Sequence, residues 1–194
     1  MTRRELVFAA IAGFSADRIA KPRSVGDELI GTTAPALDLP DWINSGPLEM
    51  TALRGKVVLL RWWTDGCPYC AATAPSLSKL DSTYRSRGLQ VIGVYHPKPP
   101  GSVKIADVQK AVLEKRFSFP IAVDWTWSAL NRWWLFKERS FTSVSFLVDQ
   151  RGVIRYVHPG GEFHEGEQGG MPAHASCQRD FAAIKNKIET LLSA

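Results

Sequence analysis

Two runs of consecutive apolar residues stand out in the first half of the chain and predict its central strands. Residues 56–63 (KVVLLRWW) and 89–95 (LQVIGVY) have the length and the β-branched content of buried strands. Pro68 follows the first run where a helix can begin, and Gly88 precedes the second where that helix can end. The apolar residues at helical spacing between them are Leu77, Leu80 and Tyr84. The pattern predicts a strand–helix–strand unit.

The second half of the chain alternates shorter helix and strand patterns. The predicted elements are a helix at 102–117, a strand at 120–123, a helix at 127–136, and strands at 145–149 and 153–158. The letters DQRG between the last two strands favour a tight hairpin. The last predicted helix is amphipathic and bears Phe181, Ile184, Ile188 and Leu191 on one face.

The order of these elements predicts an α/β fold. Residues 34–53 alternate apolar and turn-forming residues, so we expect an N-terminal β-hairpin there. The helical crossovers that follow imply parallel strands, and the late hairpin adds an antiparallel edge. The expected architecture is therefore a central mixed sheet with helices on both faces.

Composition limits the class of protein but adds little about its chemistry. The chain has 194 residues, of which 45% are hydrophobic and 22% charged, as in a folded protein of one ordinary domain. The formal net charge is +5, and the basic residues are spread along the chain rather than grouped in a run. We therefore expect no nucleic-acid partner. We also expect the protein to be a monomer.

The N-terminus resembles an export signal. Arg3 and Arg4 form a twin-arginine pair, and an apolar run at 6–16 is too short to cross a bilayer but suits the core of a signal peptide. The alternative is a short N-terminal helix of a cytoplasmic protein. We interpret 1–20 as a Tat-type signal or anchor segment, which could associate the protein with a membrane, and predict an extracytoplasmic location. The predicted linker is 21–33, and the folded domain is 34–194.

The chemistry of the chain is concentrated in two cysteines separated by two residues, Cys67 and Cys70. Cys67 lies between a predicted strand and the first turn of a predicted helix, where free backbone N–H groups and the helix dipole stabilise a thiolate. Cys70 lies one turn further on and is expected to be more buried. The predicted mechanism is attack by Cys67 on a disulfide, followed by release of the mixed disulfide by Cys70.

Two other classes of function remain open from the residues alone. Thr64 and Cys67 match half of a peroxiredoxin motif, although Leu60 stands where that motif needs proline. A thiol–metal chaperone could instead use Cys67, Cys70 and a histidine. The remaining metal-ligand types, Cys177, His158, His164 and His174, follow no recognisable pattern. We therefore predict no metal site and no cofactor.

The segment VVLLRWWTDGCPYC, the strand LQVIGVYHP and the hairpin TSVSFLVDQRGVIRYV together resemble a known family. They are similar to thioredoxin-fold oxidoreductases, and more specifically to the TlpA/ResA-like branch that includes the C-terminal domains of DipZ-type proteins. Pro75 stands where thioredoxins have a kink proline in the first helix. The resemblance implies a thioredoxin-like fold with an inserted helix. It also implies disulfide reduction, with protein thiols or disulfides and a thiol electron donor as partners.

The resemblance also points to residues around the cysteines. Ser143 stands where the family has a cis-proline, and the family pairs the backbone of the preceding residue, here Thr142, with a bound peptide. A cis peptide without proline would cost about 3 kcal/mol, so we expect a trans or altered loop. Ser143 could donate a hydrogen bond to the Cys67 thiolate. The predicted substrate-binding residues are Trp63, Pro68, Tyr69, Thr142 and Ser143.

Two further positions depart from the family pattern. Arg61 occupies the position of a buried acid in thioredoxins, six residues before the first cysteine. If the side chain points inward, its charge favours a thiolate and lowers the pKa of Cys67; otherwise it reaches the surface or pairs with a carboxylate. His96 stands in the segment where ResA-like proteins have a functional glutamate. His96 is then either a proton-transfer group near the cysteines or a solvated loop residue.

Overall fold

The computed structural model describes residues 24–137, 139–166 and 174–194, and its centre is a six-stranded mixed sheet. In chain order the strands are β1 Asp41–Ile43, β2 Val57–Trp63, β3 Leu89–Tyr95, β4 Ile121–Val123, β5 Ser145–Val148 and β6 Ile154–His158. The α-helices are α1 Pro68–Tyr84, α2 Ile105–Glu114, α3 Ser128–Trp133 and α4 Ala175–Leu192. Short 3₁₀ turns lie at Asp27–Leu29, Arg85–Arg87 and Leu135–Lys137.

The strand order in the sheet is β1-β4-β3-β2-β5-β6. The strands β2, β3 and β4 run parallel, because α1 and α2 return the chain to the same edge of the sheet. The strands β1, β5 and β6 are antiparallel to their neighbours. All seven residues of the central strand β2 are buried. This arrangement confirms the predicted mixed sheet and the late hairpin.

Alternation along β2 divides the core into two layers. Leu59 and Trp63 face the layer that contains the inner faces of α1, α2 and α4, whereas Leu60 and Trp62 face the layer that contains α3. Helices therefore cover both faces of the sheet, as predicted. Arg61 shares the face of Leu59 and Trp63, so its guanidinium enters the layer beneath α1.

The predicted N-terminal hairpin is wrong. Between residues 34 and 53 the structure forms one strand, β1, which pairs with β4 instead of with a second local strand. Asn44 has a left-handed φ of 67°, and its side-chain amide donates to the carbonyls of Phe117 and Phe119 at 2.9 and 3.1 Å. These bonds fix the end of β1 beside β4, so the sheet edge supplies the partner that the local pattern had suggested.

The predicted linker at 21–33 is part of the folded unit in its described part, residues 24–33. Its residues 24–33 include a 3₁₀ turn, and their backbone pairs with the strand region of β6. The N–H of Gly31 donates to the carbonyl of Ile154 at 2.8 Å, and the N–H of Ile154 donates to Thr32 at 2.9 Å. Leu29 is buried in the core. The folded unit therefore includes residues that the polar composition had assigned to a linker.

The predicted signal or anchor segment at 1–20 lies outside the described residues. Within the described ranges, no helix combines the length and the apolar character needed to cross a bilayer.

Candidate active site

Cys67 is the N-cap residue of α1, directly before its first residue, Pro68. Its backbone is extended, with φ −89° and ψ 114°, and its sulfur accepts a hydrogen bond from the backbone N–H of Cys70 at 3.4 Å. Pro68 follows at the first helical position, where its missing N–H is not needed. Cys67 is half-buried, and Cys70 is buried. The predicted division into an accessible and a covered sulfur is therefore present.

The loop before Cys67 is anchored to the end of the neighbouring strand. The hydroxyl of Tyr95, the last residue of β3, donates to the carboxylate of Asp65 at 2.5 Å. Burial and this bond to a carboxylate both raise the pKa of Tyr95, so the phenol stays protonated. Gly66 takes a positive φ of 67°, which allows the tight turn into the helix. Both parallel strands thus hold the start of α1 at one edge of the sheet.

Arg61 points inward and is fully buried. Its guanidinium donates to the hydroxyl of Ser145 at 3.2 Å and to the carbonyl of Gly161 at 2.7 Å. It also lies 5.6 Å from the centre of the Phe163 ring. Among the described residues no carboxylate forms an ion pair with it, so the charge meets neutral oxygens, an aromatic face and the two cysteine sulfurs. Burial lowers the pKa of Arg61, and its electrostatic interactions with the two cysteine side chains oppose that effect.

The two cysteines have very different pKa values. Hydrogen bonding from the Cys70 thiol, then from the Cys70 backbone N–H and the Ser143 hydroxyl, and the charge of Arg61 together lower the pKa of Cys67 to about 5. The hydrogen bond to the Cys67 thiolate and burial raise the pKa of Cys70. Cys67 is therefore a thiolate at neutral pH, while Cys70 keeps its proton. This asymmetry agrees with the expected lowered pKa of Cys67.

Ser143 lies across from the cysteine pair. Its hydroxyl oxygen is 3.3 Å from the sulfur of Cys70 and 3.9 Å from that of Cys67. The peptide bond that precedes it is trans, as expected without proline. The hydroxyl thus stands beside both sulfurs, but its closer contact is with Cys70 and not with the Cys67 sulfur that the sequence had suggested.

His96 is buried beside the loop that contains Thr142 and Ser143. This burial excludes the interpretation of His96 as a solvated loop residue. Its Nε2 lies 2.8 Å from the hydroxyl of Thr142, and its ring packs against Trp127. Burial, with a smaller contribution from the charge of Lys98, lowers the pKa of His96 to about 3. The ring is therefore neutral at physiological pH and positions Thr142. The backbone N–H and C=O of Thr142 make no hydrogen bond to the other described residues.

The predicted substrate-binding residues differ in exposure. Pro68 and Tyr69 are exposed beside Cys67. Trp63 is only 1% exposed and packs edge-on against Tyr95 and Phe117, so the structure contradicts a direct substrate contact for it. Its position on a strand buried on both faces explains the error, because the aromatic side chain belongs to the core.

Comparison with known proteins places this site in a family. Residues 30–157, about two thirds of the chain, match the AhpC/TSA family. The chain belongs to the AhpC/TSA family. It is 30% identical over 148 residues to Protein DipZ of Mycobacterium bovis, covering 72% of this chain and 19% of DipZ. It is 29% identical over 114 residues to the thiol-disulfide oxidoreductase ResA of Halalkalibacterium halodurans, covering 59% of this chain and 60% of ResA.

Comparison with solved structures supports the same fold. The crystal structure of a Chlorobium tepidum protein described as a thiol:disulfide interchange protein DsbE superposes with a TM-score of 0.65 at 23% identity. The match covers 84% of this chain and 97% of that one. The fold is therefore thioredoxin-like, as the resemblance implied. The chain spans only about a fifth of the length of DipZ.

The AhpC/TSA match includes both cysteines and Ser143 but stops before the segment that follows β6. From that segment Gly161 accepts the hydrogen bond of Arg61, and from β5 Ser145 accepts another. Sequence reasoning missed both partners. Ser145 could have been found, because it lies opposite Arg61 in the β2–β5 register once the strands are paired. Gly161 contributes only a backbone oxygen and leaves no signal in the residue type.

Replacing Arg61 with methionine should raise the pKa of Cys67. The substitution removes the buried positive charge while keeping most of the side-chain volume, and we expect the pKa of Cys67 to rise by about one unit relative to the same protein with Arg61. The measurement is the rate of iodoacetamide alkylation against pH in Cys70→Ser protein, with and without Arg61→Met. Because Cys70→Ser removes one hydrogen-bond donor in both proteins, the comparison isolates the charge.

The matched control is Arg179→Met, which removes an exposed charge on α4. This control should leave the pKa of Cys67 unchanged. A Cys67 pKa of about 8.5 or above in protein that retains Cys70, measured from thiolate absorbance, would contradict the assigned electrostatics.

Proposed function

We propose that this protein is a thiol–disulfide oxidoreductase that acts through Cys67 and Cys70. The observation that carries the proposal is the pairing of a half-exposed thiolate at a helix start with a buried, protonated thiol one turn later. The printed name of ResA and the description of the Chlorobium tepidum protein support the same chemistry. The proposed catalytic residues are these two cysteines.

The first step is attack by the Cys67 thiolate on one sulfur of a substrate disulfide. The new sulfur–sulfur bond forms as the substrate bond breaks, and the departing substrate thiolate takes a proton from solvent. Cys67 then carries no negative charge, so the interaction that held the proton on Cys70 is lost. The charge of Arg61 and the hydroxyl of Ser143 both favour the Cys70 thiolate at this stage.

In the second step Cys70 attacks the sulfur of Cys67. The mixed disulfide breaks, the second substrate thiol leaves, and a Cys67–Cys70 disulfide remains. The Cys70 proton passes to solvent before the attack, and the departing substrate thiolate takes a proton from solvent. The substrate has then gained two electrons and two protons, whereas the protein has lost two electrons and the one proton of Cys70. A thiol electron donor must then restore the dithiol by the same two exchanges in reverse.

A protein substrate fits the surroundings of Cys67. Pro68 and Tyr69 offer an exposed apolar surface next to the nucleophile. Thr142 is only 5% exposed, but its backbone N–H and C=O have no hydrogen-bond partner among the described residues, which is what pairing with an extended peptide requires. The side chain of Thr142 points to His96, which leaves its backbone as the means of contact. We propose that a substrate segment pairs with Thr142 and places its disulfide against Cys67, with Ser143 beside both sulfurs.

The proposed direction is reduction of disulfides, as the family resemblance implies. The site electrostatics limit which disulfides can be reduced. A thiolate stabilised by Arg61 lowers the free energy of the reduced protein, which raises the reduction potential of the pair. We therefore propose a reductant of relatively unstable protein disulfides rather than a general one.

The two alternative functions find less support at this site. In the peroxidase hypothesis the hydroxyl of Thr64 orients the peroxide, but it donates to Asp65 at 3.3 Å. In the metal-chaperone hypothesis a histidine joins Cys67 and Cys70, yet within the described ranges no such group of three ligands includes them. Membership of the AhpC/TSA family keeps the peroxidase hypothesis worth testing beside the main proposal.

We also propose an extracytoplasmic location, with the protein acting as a monomer. The twin arginines and the apolar run at 6–16 support export, and an oxidising compartment is where protein disulfides form.

Insulin reduction by dithiothreitol, measured as turbidity, should be accelerated by the protein. Cys67→Ser should abolish the acceleration because it removes the nucleophile, and Cys70→Ser should reduce turnover at least about a hundredfold because the mixed disulfide is no longer resolved. Ser86→Ala, at an exposed position beyond the far end of α1, is the control and should keep the acceleration. Peroxide consumption that persists in Cys70→Ser without insulin reduction would replace the proposal with the peroxidase.

The reduction potential of the Cys67–Cys70 pair should lie above the value of about −270 mV known for thioredoxin. Arg61→Met should lower it by about 30 mV for each unit by which it raises the Cys67 pKa. Equilibration against glutathione buffers, with alkylation and mass analysis of the two forms, measures both values. A wild-type potential at or below that of thioredoxin would contradict the proposed selectivity for unstable disulfides.

Expression of the full chain in its native host should yield a protein shortened at the N-terminus in the extracytoplasmic fraction. Arg3→Lys/Arg4→Lys should retain it inside the cell, because paired arginines are what the Tat pathway reads. Fractionation and N-terminal sequencing test this prediction. A wild-type chain that starts at Met1 or Thr2 in the cytoplasmic fraction would contradict it.

A further inference from the structure

A second group of reactive side chains lies where the segment after β6 meets the start of α4. Glu162, His164 and Cys177 are all buried, and their ligand atoms lie within 4.8 Å of one another. His174, the residue that precedes α4, brings its Nδ1 to 3.4 Å from Oε1 of Glu162. Four residues of the types that bind transition metals thus converge, although they are separated by up to fifteen positions.

Two buried atoms of this group lack a hydrogen-bond partner among the described residues. They are Oε2 of Glu162 and Nε2 of His164. A buried polar atom without a partner is costly, so each one calls for an explanation. Nε2 of His164 is a lone-pair donor suited to a cation, whereas in Glu162 the oxygen that faces the other residues of the cluster is Oε1.

The tautomer of His164 agrees with a metal ligand. Its Nδ1 lies 2.5 Å from the backbone carbonyl of Gly166, which can only accept a hydrogen bond. The proton therefore resides on Nδ1, and Nε2 carries the free lone pair. This is the arrangement by which proteins orient a metal-binding imidazole, with the remote nitrogen donating to a carbonyl.

The distances from Glu162 to the other three residues are close to those of a tetrahedral site. Oε1 of Glu162 lies 3.4 Å from Sγ of Cys177, 4.0 Å from Nε2 of His164 and 3.4 Å from Nδ1 of His174. In a tetrahedral zinc site, with a sulfur bond of about 2.3 Å and oxygen or nitrogen bonds of about 2.1 Å, neighbouring ligand atoms are about 3.3–3.6 Å apart.

We propose that Glu162, His164, His174 and Cys177 form a structural zinc site. Binding replaces the thiol proton of Cys177, which passes to solvent, with a bond from the thiolate to the metal. One carboxylate, one thiolate and two neutral imidazoles then balance the two positive charges of Zn²⁺. Four protein ligands close the coordination sphere, which is the property of a structural rather than a catalytic site.

The proposal departs from the sequence prediction that no metal site is present. The four ligands occur as Glu-x-His and His-x-x-Cys, and neither pair has the spacing of a familiar zinc motif. Their convergence depends on how α4 packs beside β6. A lone cysteine with no evident partner in the sequence becomes one of four ligands in the fold.

The test uses the full chain, stripped with a chelator, reduced and reloaded with ZnCl₂ alone. After gel filtration, elemental analysis should find one zinc per chain in the wild type and in Cys67→Ser/Cys70→Ser. The double variant is the matched control, because the reactive dithiol is the other place where zinc could bind. Cobalt added to the same double variant should give a thiolate-to-cobalt absorption band that Cys177→Ser removes.

His174→Ala keeps the experiment decisive if Cys177→Ser fails to fold, because His174 is exposed and its loss leaves the core intact. It should weaken zinc binding at least about tenfold in a competition titration. Zinc that is lost in Cys67→Ser/Cys70→Ser and unchanged in His174→Ala would overturn the proposal. So would a wild-type chain that keeps no zinc through gel filtration.

Discussion

The chemistry of this protein depends on one buried cation. Arg61 lies in the middle of β2, where every residue is covered, and its guanidinium reaches two neutral oxygens but no described carboxylate. A buried charge without an opposite charge is unfavourable, and the groups whose negative charge acts on Arg61 are the cysteine sulfurs. The fold therefore favours a thiolate at the start of α1 more strongly than the helix dipole alone would.

This constraint distinguishes the redox states of the protein. In the reduced form the Cys67 thiolate compensates part of the charge of Arg61, whereas a Cys67–Cys70 disulfide carries no charge at all. Oxidation thus leaves the guanidinium with hydrogen bonds alone, to Ser145 and Gly161. The thioredoxins that the chain resembles have an acid at this position, so we expect Arg61 to change the balance between dithiol and disulfide while the cysteine spacing stays the same.

Sequence patterns predicted the elements whose structure depends on residues close to one another in the chain. The β2–α1 junction, the helix that contains Pro75, the β5–β6 hairpin and the cysteine pair all follow from residues close in sequence. The hairpin at 34–53 failed because the partner of β1 is a strand about 80 residues away. His96 was difficult to assign for the same reason, since its burial depends on Thr142 and Trp127. Contacts between distant segments leave no periodic signal.

One short segment connects the two proposed sites. Gly161 accepts the hydrogen bond of Arg61, and Phe163 packs near the guanidinium while its N–H donates to Thr73 of α1 at 3.3 Å. The ligands Glu162 and His164 alternate with these residues, so one side of the segment faces the redox site and the other the cluster. A metal that fixed the cluster would therefore also fix the groups that orient Arg61. The zinc site and the thiolate would then be coupled through backbone geometry, without direct contact between metal and sulfur of the redox pair.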